Sequence, residues 1–204
     1  MTRKRTQTVC ILIAFLVIFF ICIYPWAVML RVSFLPATKY FENPLDWFAG
    51  LDLSHYQELF AGDFPRYVGN SFIISFASTL LVMVVGTMAA FGISRYRFRK
   101  KDNLLFFILG TRMGPAVVFA VPMYLMMVNW KLIDTFPGLV LIYTFSNLAF
   151  CIWMMYSYFK DMPPEFEEAA MLDGLGEFGV FFRISVPMAS TGLVATAILT
   201  FTFI

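Results

Sequence analysis

Four carboxylates stand close together in a chain that otherwise carries few charges. Glu165, Glu167, Glu168 and Asp173 lie between two long apolar runs, and Gly174 follows them directly. Carboxylates in the first turns of a helix interact favourably with its positively polarised end, and an exposed group of them suits a basic partner. Since the flanking runs are apolar enough for a membrane, this acidic segment is the part of the chain best suited to meet a soluble protein.

The same segment holds two glycines at the separation found in a phosphate-binding loop. That loop also needs a lysine and a hydroxyl residue directly after its second glycine. Gly174 and Gly179 have the required separation, but Val180 and Phe181 follow them. We therefore expect this chain to bind no nucleotide cofactor and to hydrolyse no ATP.

Side chains that commonly catalyse reactions or bind metals are sparse. The only histidine, His55, lies in the longest polar segment, and all three cysteines lie inside apolar runs. An intramembrane enzyme generally needs an activated nucleophile, an acid–base pair or a metal among its spans. We therefore expect no catalytic site and no metal site. An intramembrane protease or acyl transferase remains the alternative from another functional class, beside an ATP-independent channel or carrier.

Two polar side chains interrupt the apolar runs. Arg112 lies within residues 104–128, and Asn147, next to Ser146, lies near the middle of residues 137–159. A membrane-embedded arginine is costly enough to suggest a function. Arg112 either lines the path of a transported molecule or reaches the head groups or a neighbouring subunit. Asn147 either faces such a path or forms a hydrogen bond across helices, and the second reading is favoured.

The composition assigns the chain to the integral membrane proteins. Hydrophobic residues make up 60% of its 204 residues and charged ones 14%, and the mean hydropathy is +0.78. A soluble domain is about half apolar and about a quarter charged. The sequence therefore predicts an all-α, polytopic membrane helix bundle that forms a single transmembrane domain over residues 1–204.

Five apolar runs approach or exceed the length of about 20 residues that crosses a bilayer. Two prolines, Pro115 and Pro122, should kink the third of them. In the second, Gly86 and Ala90 would allow close contact with another helix. The predicted spans are residues 9–30, 70–94, 104–128, 137–159 and 187–204.

The distribution of positive charge predicts which side each connecting segment occupies. Residues 1–8, 95–103 and 160–186 together hold ten of the 15 Lys and Arg residues. Positive residues accumulate on the cytoplasmic side, so the N-terminus and the loop 160–186 should both lie inside. The same rule explains the basic run 95–101, which would also contact anionic lipid. We expect no nucleic-acid partner.

The acidic segment also resembles a known signature. Glu168-Ala169-Ala170 is followed after three residues by Gly174, after nine more by Ile184, and then by Pro187. This spacing resembles the cytoplasmic signature loop of ABC importer permeases, with Val186 where the family usually has leucine. Asp173-Gly174 and the final residues resemble the branch that carries sugars and polyols, which includes the maltose-type permease subunit.

The resemblance implies a permease subunit of the bacterial inner membrane that imports a sugar or sugar alcohol by alternating access. Its partners would be an ABC ATPase dimer that holds ATP and Mg²⁺, a second permease subunit and an extracytoplasmic solute-binding protein. Glu168 would meet a basic residue of the ATPase. If Arg112 lines the substrate path, its donors would hold sugar hydroxyls. The residues implied to form the ATPase-coupling loop are Glu167, Glu168, Ala169, Ala170, Asp173, Gly174, Ile184 and Pro187.

The loop should form two short helices. Pro163-Pro164 stops the fourth span, and Gly174 should end the first short helix in a left-handed conformation. A second short helix should cover residues 175–182, and Pro187 should begin the last span. The family has a sixth helix that returns to the cytoplasm, so the end of the apolar run at Ile204 predicts a truncated chain.

Overall fold

The structure, a computed structural model, describes residues 2–39, 42, 47, 50–96 and 99–204. Throughout these residues the secondary structure is helical and contains no strand, which confirms the predicted all-α fold. Residues 97 and 98 of the basic run lie outside the described residues. The helices are α1 (Thr2–Ser33), α2 (Ser54–Ala61), α3 (Phe64–Arg95), α4 (Lys101–Met113), α5 (Ala116–Asn129), α6 (Phe136–Asp161), α7 (Glu165–Leu172), α8 (Glu177–Val180), α9 (Val186–Met188) and α10 (Ser190–Phe203), with a 3₁₀ turn at Ala37–Lys39 and a π-helical turn at Phe181–Ser185.

Three single helical stretches in the described part of the chain are long and apolar enough to cross a membrane. They are Ile11–Ser33, Phe64–Arg95 and Phe136–Asp161. Two bent helix pairs reach the same standard when their halves are taken together, namely α4 with α5 and Glu177–Met188 with α10. The polytopic helix bundle is confirmed, and five spans result when each bent pair counts as one.

The third predicted span, residues 104–128, consists of two helices that meet at a bend. α4 ends at Met113 and α5 begins at Ala116, with a bend of more than 40° between them. Pro115 lies at this break with an extended backbone, φ −57° and ψ 130°. It offers no backbone donor to continue α4. Pro122, the other expected kink site, lies inside α5, which continues past it to Asn129.

The chain divides into two compact units, Met1–Arg66 and Tyr67–Ile204, and each is described by itself. In the first unit, α1 is apolar and widely exposed from Ile11 onward. Helix α2 is held against the end of α1, because the Tyr56 hydroxyl donates a 2.8 Å hydrogen bond to Ser33 Oγ and the ring of Tyr56 lies 5.3 Å from that of Phe34. The predicted single domain over residues 1–204 stays a prediction.

The second unit has a core built by α3, α6 and the π-helical turn. Gly86 of α3 lies so close to α6 that an ideal Cβ on it would stand 2.6 Å from Cys151 Sγ, and Ala90 one turn later is fully buried. This is the close helix contact that the two small residues favour. The core side chains are Val82, Ala90, Ile93, Cys151, Ile152, Met155, Phe159, Met162, Phe181 and Ala189.

Candidate functional site

Two prolines separate the acidic helix α7 from the span before it, as predicted. α6 ends at Asp161, and Pro164 is the residue that caps α7. The carbonyl oxygen of Pro164 accepts hydrogen bonds of 3.0 Å from the backbone N–H groups of both Glu167 and Glu168. The acidic side chains therefore occupy the first turn of α7, where carboxylates interact favourably with the helix dipole.

Gly174 ends α7 in the left-handed conformation that the sequence predicted, with φ +93°. Its N–H donates to Met171 O and the N–H of Leu175 donates to Ala170 O, each over 3.0 Å. This pair of hydrogen bonds is the Schellman motif, which satisfies the last carbonyl groups of a helix. A Cβ on Gly174 would meet nothing within 4 Å. The backbone conformation, and not the available space, therefore requires glycine here.

The second half of the loop differs from the prediction. The expected helix over residues 175–182 begins at Glu177 and continues through the π-helical turn and α9 to Met188. Contrary to the prediction, Pro187 does not begin the last span. It lies inside this helical run, in the first turn of α9. The break occurs at Ala189, where the helical run bends by 77° before α10. The boundary predicted between residues 186 and 187 therefore moves to Ala189.

Glu167 faces the interior of this unit, although the sequence groups it with the partner-facing residues. Arg95 at the end of α3 donates from Nε to Glu167 Oε2 over 2.7 Å and from Nη2 to Oε1 over 2.9 Å. The hydroxyl of Ser185 donates a third hydrogen bond, of 2.8 Å, to Oε1. A buried carboxylate needs such partners because burial removes it from water. The positive partner comes from the basic run 95–101, which the sequence explained by membrane topology alone.

The remaining predicted loop residues differ in exposure. Ala170 is buried in α7, and Ile184 is half-buried in the π-helical turn. The others are accessible to a partner, namely Glu168, Ala169, Asp173, Gly174 and Pro187.

Large apolar side chains are also exposed on this loop. Leu172 is 90% exposed and Phe178 is 73% exposed, far more than side chains in a protein core. We define the loop surface as the exposed side chains Glu165, Phe166, Glu168, Ala169, Met171, Leu172, Asp173, Glu177, Phe178 and Phe182. Exposed apolar side chains rimmed by charges mark interaction sites in many proteins.

A second contact ties α8 to the residue that follows α3. The hydroxyl of Tyr96 donates a 2.5 Å hydrogen bond to Glu177 Oε2. This hydrogen bond to a carboxylate raises the pKa of Tyr96 above its ordinary value of 10.0, because the carboxylate stabilises the protonated phenol. Sequence reasoning missed the roles of Arg95 and Tyr96. The only local signal was a basic residue at the end of a span on the same predicted side as the acidic helix.

The structure brings together Arg112 and Asn147, the two polar residues singled out within the spans. Arg112 Nη1 donates to Ser146 O over 2.9 Å and to Asn147 Oδ1 over 3.2 Å. Asn147 in turn donates to Tyr143 O over 2.9 Å. Lys101 is the first residue of α4, and Arg112 lies about 17 Å further along the helix at a rise of about 1.5 Å per residue. Asn147 is buried, and both ends of its amide form hydrogen bonds, one to Arg112 and one within α6.

A cavity of about 390 Å³ lies beside Arg112 between α4, α5 and α6. The guanidinium also stacks near two aromatic rings, with 5.5 Å from its carbon to the ring centres of Phe150 and Phe203. The described part of the unit thus supplies Arg112 with neutral acceptors and aromatic faces. Its cavity is lined by Thr111, Arg112, Gly114, Phe119, Met123, Phe145, Ser146 and Ala149.

Comparison with known protein families identifies the chain. A family model described as the binding-protein-dependent transport system inner membrane component matches residues 82–204, which is more than half of the chain and includes α3 from Val82 onward and the whole loop. The chain belongs to this family. It is therefore a multi-pass membrane protein of the inner-membrane permease class, in agreement with its apolar helices.

Individual relatives agree with the family. A probable ABC transporter permease protein of Pyrococcus horikoshii is 37% identical over 66% of this chain and 49% of its own length. The diacetylchitobiose uptake system permease protein NgcG of Streptomyces coelicolor is 34% identical over 67% of this chain and 45% of its own length. The matched part of this permease thus spans about half the length of these two relatives.

A solved structure shows the same fold. It is the crystal structure of a bacterial ABC transporter involved in the import of the acidic polysaccharide alginate. The TM-score is 0.83, and the match covers 98% of this permease and 70% of that chain at 20% identity. At this identity the likeness concerns the fold alone.

Proposed function

We propose that this chain is the permease subunit of an ATP-driven importer and moves a sugar or sugar alcohol across the inner membrane by alternating access. The observation that carries the proposal is the loop 160–186. It combines the Glu168-Ala169-Ala170 and Gly174 spacing with an exposed acidic and apolar surface on a defined helix–turn–helix. The family match and the name of the diacetylchitobiose relative support the same function and the carbohydrate class.

In this proposal the loop surface docks in a cleft of a separate ABC ATPase. Glu168 pairs there with a basic residue, and the exposed side chains of Leu172 and Phe178 fill apolar positions in the cleft. ATP and Mg²⁺ bind to the ATPase dimer, and this chain binds no cofactor. A second permease subunit completes the path, and an extracytoplasmic solute-binding protein delivers the substrate. Glu167 lies beneath this surface. The remaining coupling-loop residues shape or support it, namely Ala169, Ala170, Asp173, Gly174, Ile184 and Pro187.

Co-purification of the ATPase with variants of the loop tests the docking. Glu168→Lys should release the ATPase and abolish transport, because it places a positive charge opposite the proposed basic residue. Leu172→Asp should do the same by placing a charge in an apolar contact. Asp63→Lys makes the same acidic-to-basic change at an exposed position outside the loop and serves as the control. Normal ATPase binding and transport by both loop variants would refute the proposal.

We also propose that Arg112 lines the substrate path, with Asn147 holding its guanidinium in place. Three features support this: the cavity beside Arg112, its neutral acceptors, and the ring of Phe145 in the cavity wall, on which a sugar could stack. Arg112→Gln should raise the KM for transport while the ATPase still co-purifies, and Arg112→Lys should retain part of the affinity because it keeps the charge. Transport by Arg112→Gln at normal rate and affinity would exclude this role.

A further inference from the structure

The end of α3 holds both short helices of the loop through two consecutive residues. Arg95 contacts α7 through Glu167 and also donates over 3.3 Å to the carbonyl oxygen of Met162, where the loop begins. Tyr96 contacts α8 through Glu177. These two contacts thereby join the end of α3 to parts of the loop that lie 72 and 81 residues later in the sequence.

The contact with α7 is a closed network. The side chains of Arg95 and Glu167 are 17% and 5% exposed. Glu167 Oε1 accepts from both Arg95 and Ser185, and its Oε2 accepts from Arg95. Two parallel N–H donors and a hydroxyl fix the carboxylate in one orientation, since each oxygen has a partner whose position is also fixed. The network joins three segments: the end of α3, helix α7 and the π-helical turn.

α7 has little else to hold it in place. Its buried residues are Glu167 and Ala170. Its larger apolar side chains, Phe166, Met171 and Leu172, belong to the loop surface and are exposed. An eight-residue helix is too short to be stable by itself in water. Its orientation on the unit therefore depends on the ion pair more than on apolar packing.

We propose that Arg95 is a positioning residue that makes the loop and α3 a single moving element. Arg95 holds α7 through Glu167, and Tyr96 holds α8 through Glu177. A displacement of the loop surface by the ATPase then passes directly to the span α3, and not only through the chain connections to α6 and α10. This inference rests on the proposed function of the loop, and it adds a second route by which ATPase motion reaches the spans.

The number of substrate molecules imported per ATP hydrolysed tests the proposal, measured with the complete transporter in proteoliposomes. Arg95→Met removes the ion pair from a residue outside the loop and alters no side chain of the loop surface, so the ATPase should still co-purify and hydrolyse ATP. Import per ATP should fall at least about fivefold, the lower end of the coupling between distant sites. The double variant Arg95→Glu with Glu167→Arg should recover part of the loss by restoring opposite charges. Arg99→Met, which removes an exposed charge from the same basic run, is the matched control and should have no effect.

A milder variant keeps the test decisive where loss of the ion pair prevents folding. Tyr96→Phe removes only an exposed hydroxyl and its hydrogen bond, so the fold should persist and import per ATP should fall by a smaller factor. The proposal would be overturned if every assembled variant, Tyr96→Phe included, imported as much substrate per ATP as the unmodified transporter. Failure of the unmodified chain to bind any ATPase would instead refute the proposed function itself.

Discussion

Replacing Gly174 with alanine tests whether the turn after α7 determines the shape of the loop. The residue has φ +93°, and a left-handed conformation costs an L-residue about 1–2 kcal/mol. No clash adds to this cost, since a Cβ would meet nothing within 4 Å. The lower entropy of alanine in the unfolded chain offsets about 0.4–1 kcal/mol. The net destabilisation of the turn is therefore about 1 kcal/mol, which is about a fivefold change in its closed population.

Gly176 provides the matched control two residues later in the same turn region. Its backbone is extended, with φ −74° and ψ 167°, and a Cβ there would also meet nothing within 4 Å. Gly176→Ala adds the same methyl group without strain and should be neutral or stabilising by up to about 1 kcal/mol. Gly174→Asn should have a smaller effect than Gly174→Ala, because asparagine tolerates the left-handed region better.

Hydrogen exchange at the amide of Leu175 reads the turn directly, because this amide donates to Ala170 O. Exchange should be about fivefold faster in Gly174→Ala and unchanged or slower in Gly176→Ala. The affinity for the ATPase should fall by a similar factor in Gly174→Ala alone. Equal exchange rates in the two variants would refute the reasoning, whatever happens to ATPase affinity.

Two further predictions concern helix contact and pH. Gly86→Ala should lower the Tm, because a Cβ would stand 2.6 Å from Cys151 Sγ and such overpacking costs about 1–3 kcal/mol. Gly92→Ala is the control and should not lower the Tm, because a Cβ there would meet nothing within 4 Å. An equal Tm for both variants would contradict the close contact between the helices. The hydrogen bond to Glu177 raises the pKa of Tyr96, so its stabilisation is fully present below pH 10.0 and is lost as the pH rises through the raised pKa. The difference in thermal stability between Tyr96→Phe and the unmodified chain should therefore be constant around neutral pH and disappear in strongly alkaline solution, and a difference that persists there would count against the contact.

Features that depend on short stretches of sequence could be predicted. A membrane span needs only a sufficient number of consecutive apolar residues, so the fold class follows from composition and the lengths of the runs. The prolines between α6 and α7 and the left-handed Gly174 were also predictable, because backbone constraints at proline and glycine act over a few residues. The family spacing of the loop belongs to the same local information.

Bends and helix breaks were predicted only in part. Pro115 and Pro122 both indicated a kink in the third span, but the helices break only at Pro115, while α5 continues past Pro122. Pro187 gave a local signal for a helix start, yet the helical run changes direction at Ala189. Proline in the first turn of a helix is compatible with either outcome, so the sequence alone could not locate the bend.

The acidic residues at the start of α7 show the division between local and tertiary information. The sequence by itself determined that Glu165, Glu167 and Glu168 occupy the first turn of a short helix on the predicted cytoplasmic side. Only the tertiary structure decided that Glu167 turns inward to Arg95 while Glu168 remains exposed. The physical reason is that the helix dipole favours all three carboxylates alike, whereas the face that becomes buried depends on a partner 72 residues away.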